Sequence, residues 1–342
     1  MQTEAGSGGR ARARIARNWT LEELVGRVRE GDRRALARAI TLVENGDELA
    51  YELVRNLYPE TGRAYVIGMT GPPGVGKSTL ISALTRHVRS LGRTVGVVSV
   101  DPSSPFTEGA LLGDRIRLAD HFLDPDVFIR SMGTRGHVGG VAEATLQASL
   151  VLDAAGKDLV FLETVGVGQS EVGIVGIVDT VVLVLMPGSG DSIQALKAGI
   201  MEIPDVIAVN KCEHPAAKAT VNDLRSILAL AGEREWSPAI VLTDGIGGRG
   251  IDDLWAEIER HRRYLEEGDE LEERRARNLA GEVFAAASAR AKTHLERAVA
   301  DDADLARLLD EVKRREVDPL TAVREIIERV FHVGDEDRAD SR

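Results

Sequence analysis

Gly71-Pro72-Pro73-Gly74-Val75-Gly76-Lys77-Ser78-Thr79, read as GPPGVGKST, is the stretch that decides the fold. A glycine, four residues and then Gly-Lys-Ser form a loop that cradles phosphates between a strand and a helix. The glycines let the chain curl so that successive N–H groups point inward, and the following helix adds the positive end of its dipole. In this pattern Lys77 reaches the β- and γ-phosphates of a nucleoside triphosphate, and the Ser78 hydroxyl ligates Mg²⁺. The flanks agree: AYVIGMT before the loop is β-rich, and after it Leu80, Leu84, Val88 and Leu91 recur at helical spacing up to Gly92.

Working outward, six more short apolar runs follow AYVIGMT: TVGVVSVD, DVFIRSM, DLVFLETV, TVVLVLMP, DVIAVNK and PAIVLTD. They are continuous rather than alternating, as strands buried on both faces of a parallel sheet must be, and the segments between them have room for crossover helices. The fold class expected is therefore α/β, a P-loop NTPase with a doubly wound, mainly parallel sheet. Residues 20–57 read as helices, with Leu21, Leu24, Val25 and Val28 on one stripe and ALARAITLVENG closing on a glycine. Beyond Trp255 the β signal ends, and a charged helical stretch reaches about 331, with apolar Leu279, Val283, Leu305, Leu308, Val312, Val323, Ile326, Ile327 and Val330. Three units are expected: an N-terminal extension and helical segment over 1–60, a nucleotide-binding domain over 61–264, and a C-terminal helical arm with an acidic tail over 265–342.

A magnesium ion needs hard oxygen ligands besides Ser78. Asp101 ends TVGVVSVD, Asp114 follows in the next loop, and Glu163 ends DLVFLETV. In an open parallel sheet the ligand lies beyond the carboxyl ends of the strands, which aims Asp101 and Glu163 at the phosphate loop. Gly166, in ETVGVGQSE, is placed to offer its N–H to a γ-phosphate, a contact that lasts only while triphosphate is bound. Gln169 either positions the attacking water or orders that loop, and Arg135 in MGTRG is either a phosphate or partner contact or a surface ion pair. Base recognition falls to Asn210-Lys211-Cys212-Glu213, where the usual fourth residue is Asp, and to Thr243-Asp244-Gly245, where the usual pair is Ser-Ala. A glutamate makes the same two bonds to guanine only if base or backbone shifts by about one bond length.

Composition narrows the setting. A net charge of -12 with no clustered basic face argues against a nucleic-acid partner. The single cysteine, Cys212, excludes an internal disulfide and fits a reducing, cytoplasmic compartment. The four arginines among the first 17 residues have no apolar stretch behind them, so neither a secretory signal nor a membrane anchor is expected. The seven histidines are scattered, and Cys212-Glu213-His214 reads as a loop rather than a metal cluster.

Beyond the phosphate loop, VDPSSPFTEGALLGDRIRL, RSMGTRGHVGG, ETVGVGQSE and PGSGDSIQALKAGIMEIPD recur as linked motifs, preceded by ARAITLVENG. With them, from about Ala35 to Ile327, the chain resembles the MeaB/ArgK group of P-loop GTPases, chaperones of adenosylcobalamin-dependent acyl-CoA mutases such as methylmalonyl-CoA mutase. The resemblance implies a SIMIBI-class G domain that binds GTP or GDP with Mg²⁺, and a homodimer made by the C-terminal arm. It implies a magnesium and switch shell of Asp101, Asp114 and Glu163, and a third switch from Asp191 to Lys197 in which Gln194 and Lys197 couple nucleotide state to the mutase. Hydrolysis would then gate delivery of the B12 cofactor and protect the mutase. Two other readings share the core: a metallochaperone GTPase for nickel enzymes, and an ATP-using transport-system kinase or ATPase.

Overall fold

A computed structural model describes residues 19–101, 118–133, 140–164, 176–188, 204–230 and 235–331. The seven apolar runs form β1 (Tyr65–Thr70), β2 (Val95–Asp101), β3 (Val127–Gly133), β4 (Leu159–Thr164), β5 (Thr180–Leu185), β6 (Val206–Val209) and β7 (Ala239–Leu242). They pair in the order β3-β2-β4-β1-β5-β6-β7, every pair parallel. The chain starts at the centre, works out to one edge, returns beside β1 and then works out to the other. The loop after β1 therefore lies where the winding reverses, the place at which such sheets bind ligands.

Each strand faces two ways, and each face has its own cover. Tyr65, Ile67 and Met69 of β1, Val95 and Val97 of β2, and Leu159 and Phe161 of β4 pack under α4 (Lys77–Ser90) and, C-terminal to the strands, α7 (Ile251–Glu267). The opposite face, with Val98, Val100, Val160, Leu162 and Val181, lies under α5 (Gly140–Ala154) and the N-terminal helices α1 (Leu21–Arg29), α2 (Arg33–Asn45) and α3 (Glu48–Leu57). Leu183, Leu185, Ile207 and Val209 complete a smaller core beside α6 (Ala217–Leu230). Burial on both sides explains why the strands carry no alternation of polar residues.

The helical ends obey local chemistry. Thr20 and Glu23 make a reciprocal capping box at α1, Asp32 accepts from the N–H groups of Arg34 and Ala35, and Gly46 ends α2 at a left-handed φ of 61°. Leu91, expected on the buried stripe of α4, instead caps that helix and is exposed, because the helix stops at Ser90 before another turn is completed.

After α7 come α8 (Glu270–Asp301), α9 (Ala303–Lys313) and α10 (Pro319–Phe331). The 32 residues of α8 run about 48 Å. Leu305, Leu308 and Ala322 form a small core of their own with Val312, Ile326 and Val330 against it. Val283, Val323 and Ile327, of the same apolar set, lie on the surface. Among the described residues no helix is long and apolar enough to cross a membrane.

Candidate nucleotide site

The phosphate loop leaves β1 through Gly71, whose φ is 134° and whose missing Cβ would run into the carbonyl of Val184 on β5. It enters α4 through Gly76, at φ 96°, where a Cβ would meet the Asn210 amide. Only glycine tolerates both the angle and the approach.

Lys77 opens α4 with its ammonium folded back over the loop, donating to the carbonyl of Gly71 at 2.7 Å and that of Pro72 at 3.0 Å. The next residue, Ser78, donates its hydroxyl to Glu163 Oε1 at 2.6 Å. Glu163 Oε2 accepts from the Ser99 hydroxyl at 3.0 Å. Sheet register produces this trio. Ser99 of β2 lies directly opposite Glu163 of β4, so both side chains leave the sheet on the face that carries α4. Lys77, Ser78, Ser99 and Glu163 are each at most 5% exposed, which places a cation, a carboxylate and two hydroxyls together in a region of low dielectric. Ser99 was not among the residues expected from sequence, although it is the one hydroxyl within β2.

The segments 210–213 and 243–245 converge on the same loop. Asn210, one residue past β6, donates from Nδ2 to the carbonyl of Val75 at 2.8 Å. Its Oδ1 accepts from the Gly245 N–H at 3.1 Å and from the Thr243 hydroxyl at 3.4 Å. One buried amide thus ties the phosphate loop to the segments after β6 and β7. Lys211 adopts a left-handed φ of 58° and lays its ammonium against the carbonyl of Gly74 at 3.2 Å and Met186 Sδ at 3.1 Å. Asp244 turns inward on its own loop, accepting from the Ile246 N–H at 2.9 Å, whereas Glu213 stands exposed at the rim. His214 Nδ1 accepts from the Ala216 N–H at 3.2 Å. Among the described residues no group of His, Cys, Asp and Glu is arranged to hold a metal ion.

Lys77, Ser78, Glu163, Asn210, Lys211, Thr243 and Gly245 are therefore brought together around residues 71–79. Asp101 is the last residue of β2; its side chain, and all of Asp114, Arg135, Gly166, Gln169, Asp191, Gln194 and Lys197, lie outside the described residues.

The sequence pattern of the family described as methylmalonyl Co-A mutase-associated GTPase MeaB matches residues 36–300. The chain belongs to the MeaB GTPase family. Among its relatives, a Pyrococcus abyssi chain named as a GTPase is 46% identical over 318 residues, covering 92% of this chain and 98% of that one. GTPase ArgK of Escherichia coli is 37% identical across 70% of this chain and 75% of its own. The methylmalonic aciduria type A homolog of Mus musculus, a mitochondrial protein, is 34% identical across 66% of this chain and 59% of its own. A crystal structure titled LAO/AO transport system kinase is similar in fold, with a TM-score of 0.71 at 28% identity, covering 91% of this chain and 98% of that one. This MeaB-family chain is thus a P-loop GTPase, and guanine nucleotide is what its site binds.

Proposed function

We propose that this GTPase is a chaperone of a B12-dependent acyl-CoA mutase of the methylmalonyl-CoA mutase type, using GTP hydrolysis to gate adenosylcobalamin delivery and to protect the mutase. The observation that carries the reading is the match to a mutase-associated GTPase family over residues 36–300. The relationship to the mouse methylmalonic aciduria type A homolog supports it. In this reading GTP spans the sheet mouth, its phosphates on the N–H groups of 71–79 and its base between Asn210, Lys211 and Glu213 on one side and Thr243 to Gly245 on the other. Lys77 exchanges its two carbonyl partners for phosphate oxygens, and water attacks the γ-phosphorus in line as the bond to the β-phosphate oxygen breaks.

Mg²⁺ fits the donor chemistry present. Ser78 and Glu163 offer hard oxygens 2.6 Å apart at the start of α4, and Asp101 and Asp114 complete the proposed set. The ion would supply charge neutralisation at the β- and γ-phosphates. Asp191, Gln194 and Lys197 are proposed as the switch that reports nucleotide state to the mutase, and Gly166 and Gln169 as the γ-phosphate loop. The division at about residues 60 and 264, the cytoplasmic setting and a homodimer formed by the arm belong to the same proposal. Val283, Phe284, Leu320 and Val323 give the arm an exposed apolar surface that suits a second copy.

The test is to add a purified B12-dependent mutase and measure GTP turnover and mutase lifetime. A stable complex with altered turnover is expected; indifference of both proteins to each other removes the mutase from the reading. Competition between GTP and ATP bears on the transport-kinase title of the structural relative, since preference for ATP would replace the chaperone with a kinase or ATPase.

A further inference from the structure

At the end of the sheet away from the phosphate loop, a cavity of about 410 Å³ lies between the turn after α3, helix α5, the start of β5 and the first half of α8. Its volume is in the range of small-molecule sites, roughly 300–1,000 Å³. Leu146, Leu150, Ile177 and Leu279 supply an apolar wall. Most of its polar groups are saturated. Asp153 accepts from the N–H groups of Gly62 at 2.5 Å and Ala64 at 2.9 Å, and Asp179 is forked by Arg275 at 2.8 and 2.9 Å.

One carboxylate of the lining is not, and a second lies behind it on the facing helix. Glu282 of α8 lines the cavity and is 8% exposed, yet among the described residues it has no hydrogen-bond or ion-pair partner. Glu143 of α5, one turn before Leu146, holds Tyr51, Gln147 and Arg290 on Oε1 at 2.9, 3.1 and 2.8 Å, while its Oε2 is buried without a partner. Leaving such groups unpaired costs free energy, and two carboxylates that sense each other cost more. Burial first, and then the Glu143 charge, push the Glu282 carboxyl above its ordinary value. Among the described residues the positive groups beside them are engaged: Arg290 by Glu143 and Tyr51, and Arg275 by Asp179 and the carbonyls of Gly62 and Ala64.

We propose that this cavity is a binding site for a small organic cation, an alkylammonium or alkylguanidinium whose charged head lies against Glu282, with the Glu143 carboxylate behind the lining, and whose apolar body packs on Leu150, Ile177 and Leu279. One unpaired carboxylate above an apolar wall suits an organic cation better than a metal ion, which needs a full shell of polar ligands. Since α5 and α8 supply the walls, an occupant ties the C-terminal arm to the core, and the site is independent of the mutase reading.

The experiment uses the full chain with n-butylguanidinium, n-butylammonium and the neutral 1-butanol as probes. Either cation at about 10 mM is expected to raise Tm saturably by about 2–4 °C, and the alcohol to leave it unchanged. Glu282→Gln should abolish that rise while keeping GTP affinity. In the unaltered protein, the methyl resonances of Leu150, Ile177 and Leu279 should shift with the cations, a readout that needs no variant. Equal response to 1-butanol, an unchanged response in Glu282→Gln, or unmoved methyls would each overturn the assignment.

Discussion

The two ends of the sheet solve the problem of buried charge in different ways. At the carboxyl ends, Lys77 rests on two loop carbonyls and Ser78 on Glu163, partners that a phosphate and a metal ion can replace in kind. At the amino ends, Asp179 and Asp205 each take a strand N–H, from Val66 and Val181, and each is also gripped by a forked arginine of α8, Arg275 and Arg274. The first network is built of exchangeable contacts and the second of pairs with no substitute. Nucleotide chemistry belongs at one end and attachment of the arm at the other, so a substitution should disturb one property and spare its counterpart.

The sharpest break comes at Lys77. Lys77→Ala removes the ammonium proposed to face the phosphates, and GTP hydrolysis is expected to fall on the order of 10³-fold. The two loop carbonyls can turn to water, so calorimetry should find Tm within about 4 °C of the parent. Hydrolysis that survives this change would show that the carboxyl-end network is not a phosphate site.

Arg275→Ala is the mirror experiment. It strands a buried carboxylate on Asp179 and frees the carbonyls of Gly62 and Ala64, at a cost of about 3 kcal/mol read from urea unfolding. GTP affinity should change by less than about twofold, because the site lies at the far end of the strands. A large loss of affinity would mean that the two ends are coupled.

The amino end should also respond to acid. His261 is 1% exposed, with ring nitrogens 2.8 Å from the Thr180 hydroxyl and 3.3 Å from Asp205. Burial lowers its pKa to about 4, overcoming the opposing pull of Asp205. The folded state therefore holds it neutral while the unfolded chain binds a proton, so stability is complete above about pH 6.5 and is lost as pH falls toward 4. The loss should approach about 3 kcal/mol. His121, also lowered by burial, titrates in the same direction, so the His261 share is the part of the slope that disappears in His261→Gln. Identical pH slopes for the two proteins would refute the assignment.

These ends were not equally legible in the sequence. Glycine spacing in 71–79 and unbroken apolar runs mark the loop and all seven strands, because both are local requirements of backbone geometry and burial. Glu163 and Asn210 follow from their place at strand ends. The clamp at the other end joins residues 69 and 96 positions apart, and Arg274 and Arg275 within EERRARN read as part of a solvated helical face. Nothing local distinguishes an arginine that folds back onto a sheet from one that faces water. The same reason separates the apolar positions of the arm: Leu305 and Leu308 are buried while Val283 and Val323 are not, although all four are apolar residues of one charged helical stretch.

Ser99 is the mildest probe, and it tests whether the carboxyl-end network is tuned as well as exchangeable. Its hydroxyl fixes Glu163 Oε2 while Ser78 holds Oε1, so the carboxylate plane is set from two strands and a helix. Ser99→Ala leaves Oε1 held by Ser78 and removes one hydrogen bond to a charged group, about 1.5 kcal/mol or roughly tenfold. If Glu163 serves the proposed magnesium site, that tenfold should appear as a higher magnesium concentration at half-maximal GTP turnover, with the KM for GTP little changed. Ser99→Thr, which restores the hydroxyl, should recover most of it. A variant that loses only thermal stability, with its magnesium dependence unmoved, would leave Ser99 as a packing residue.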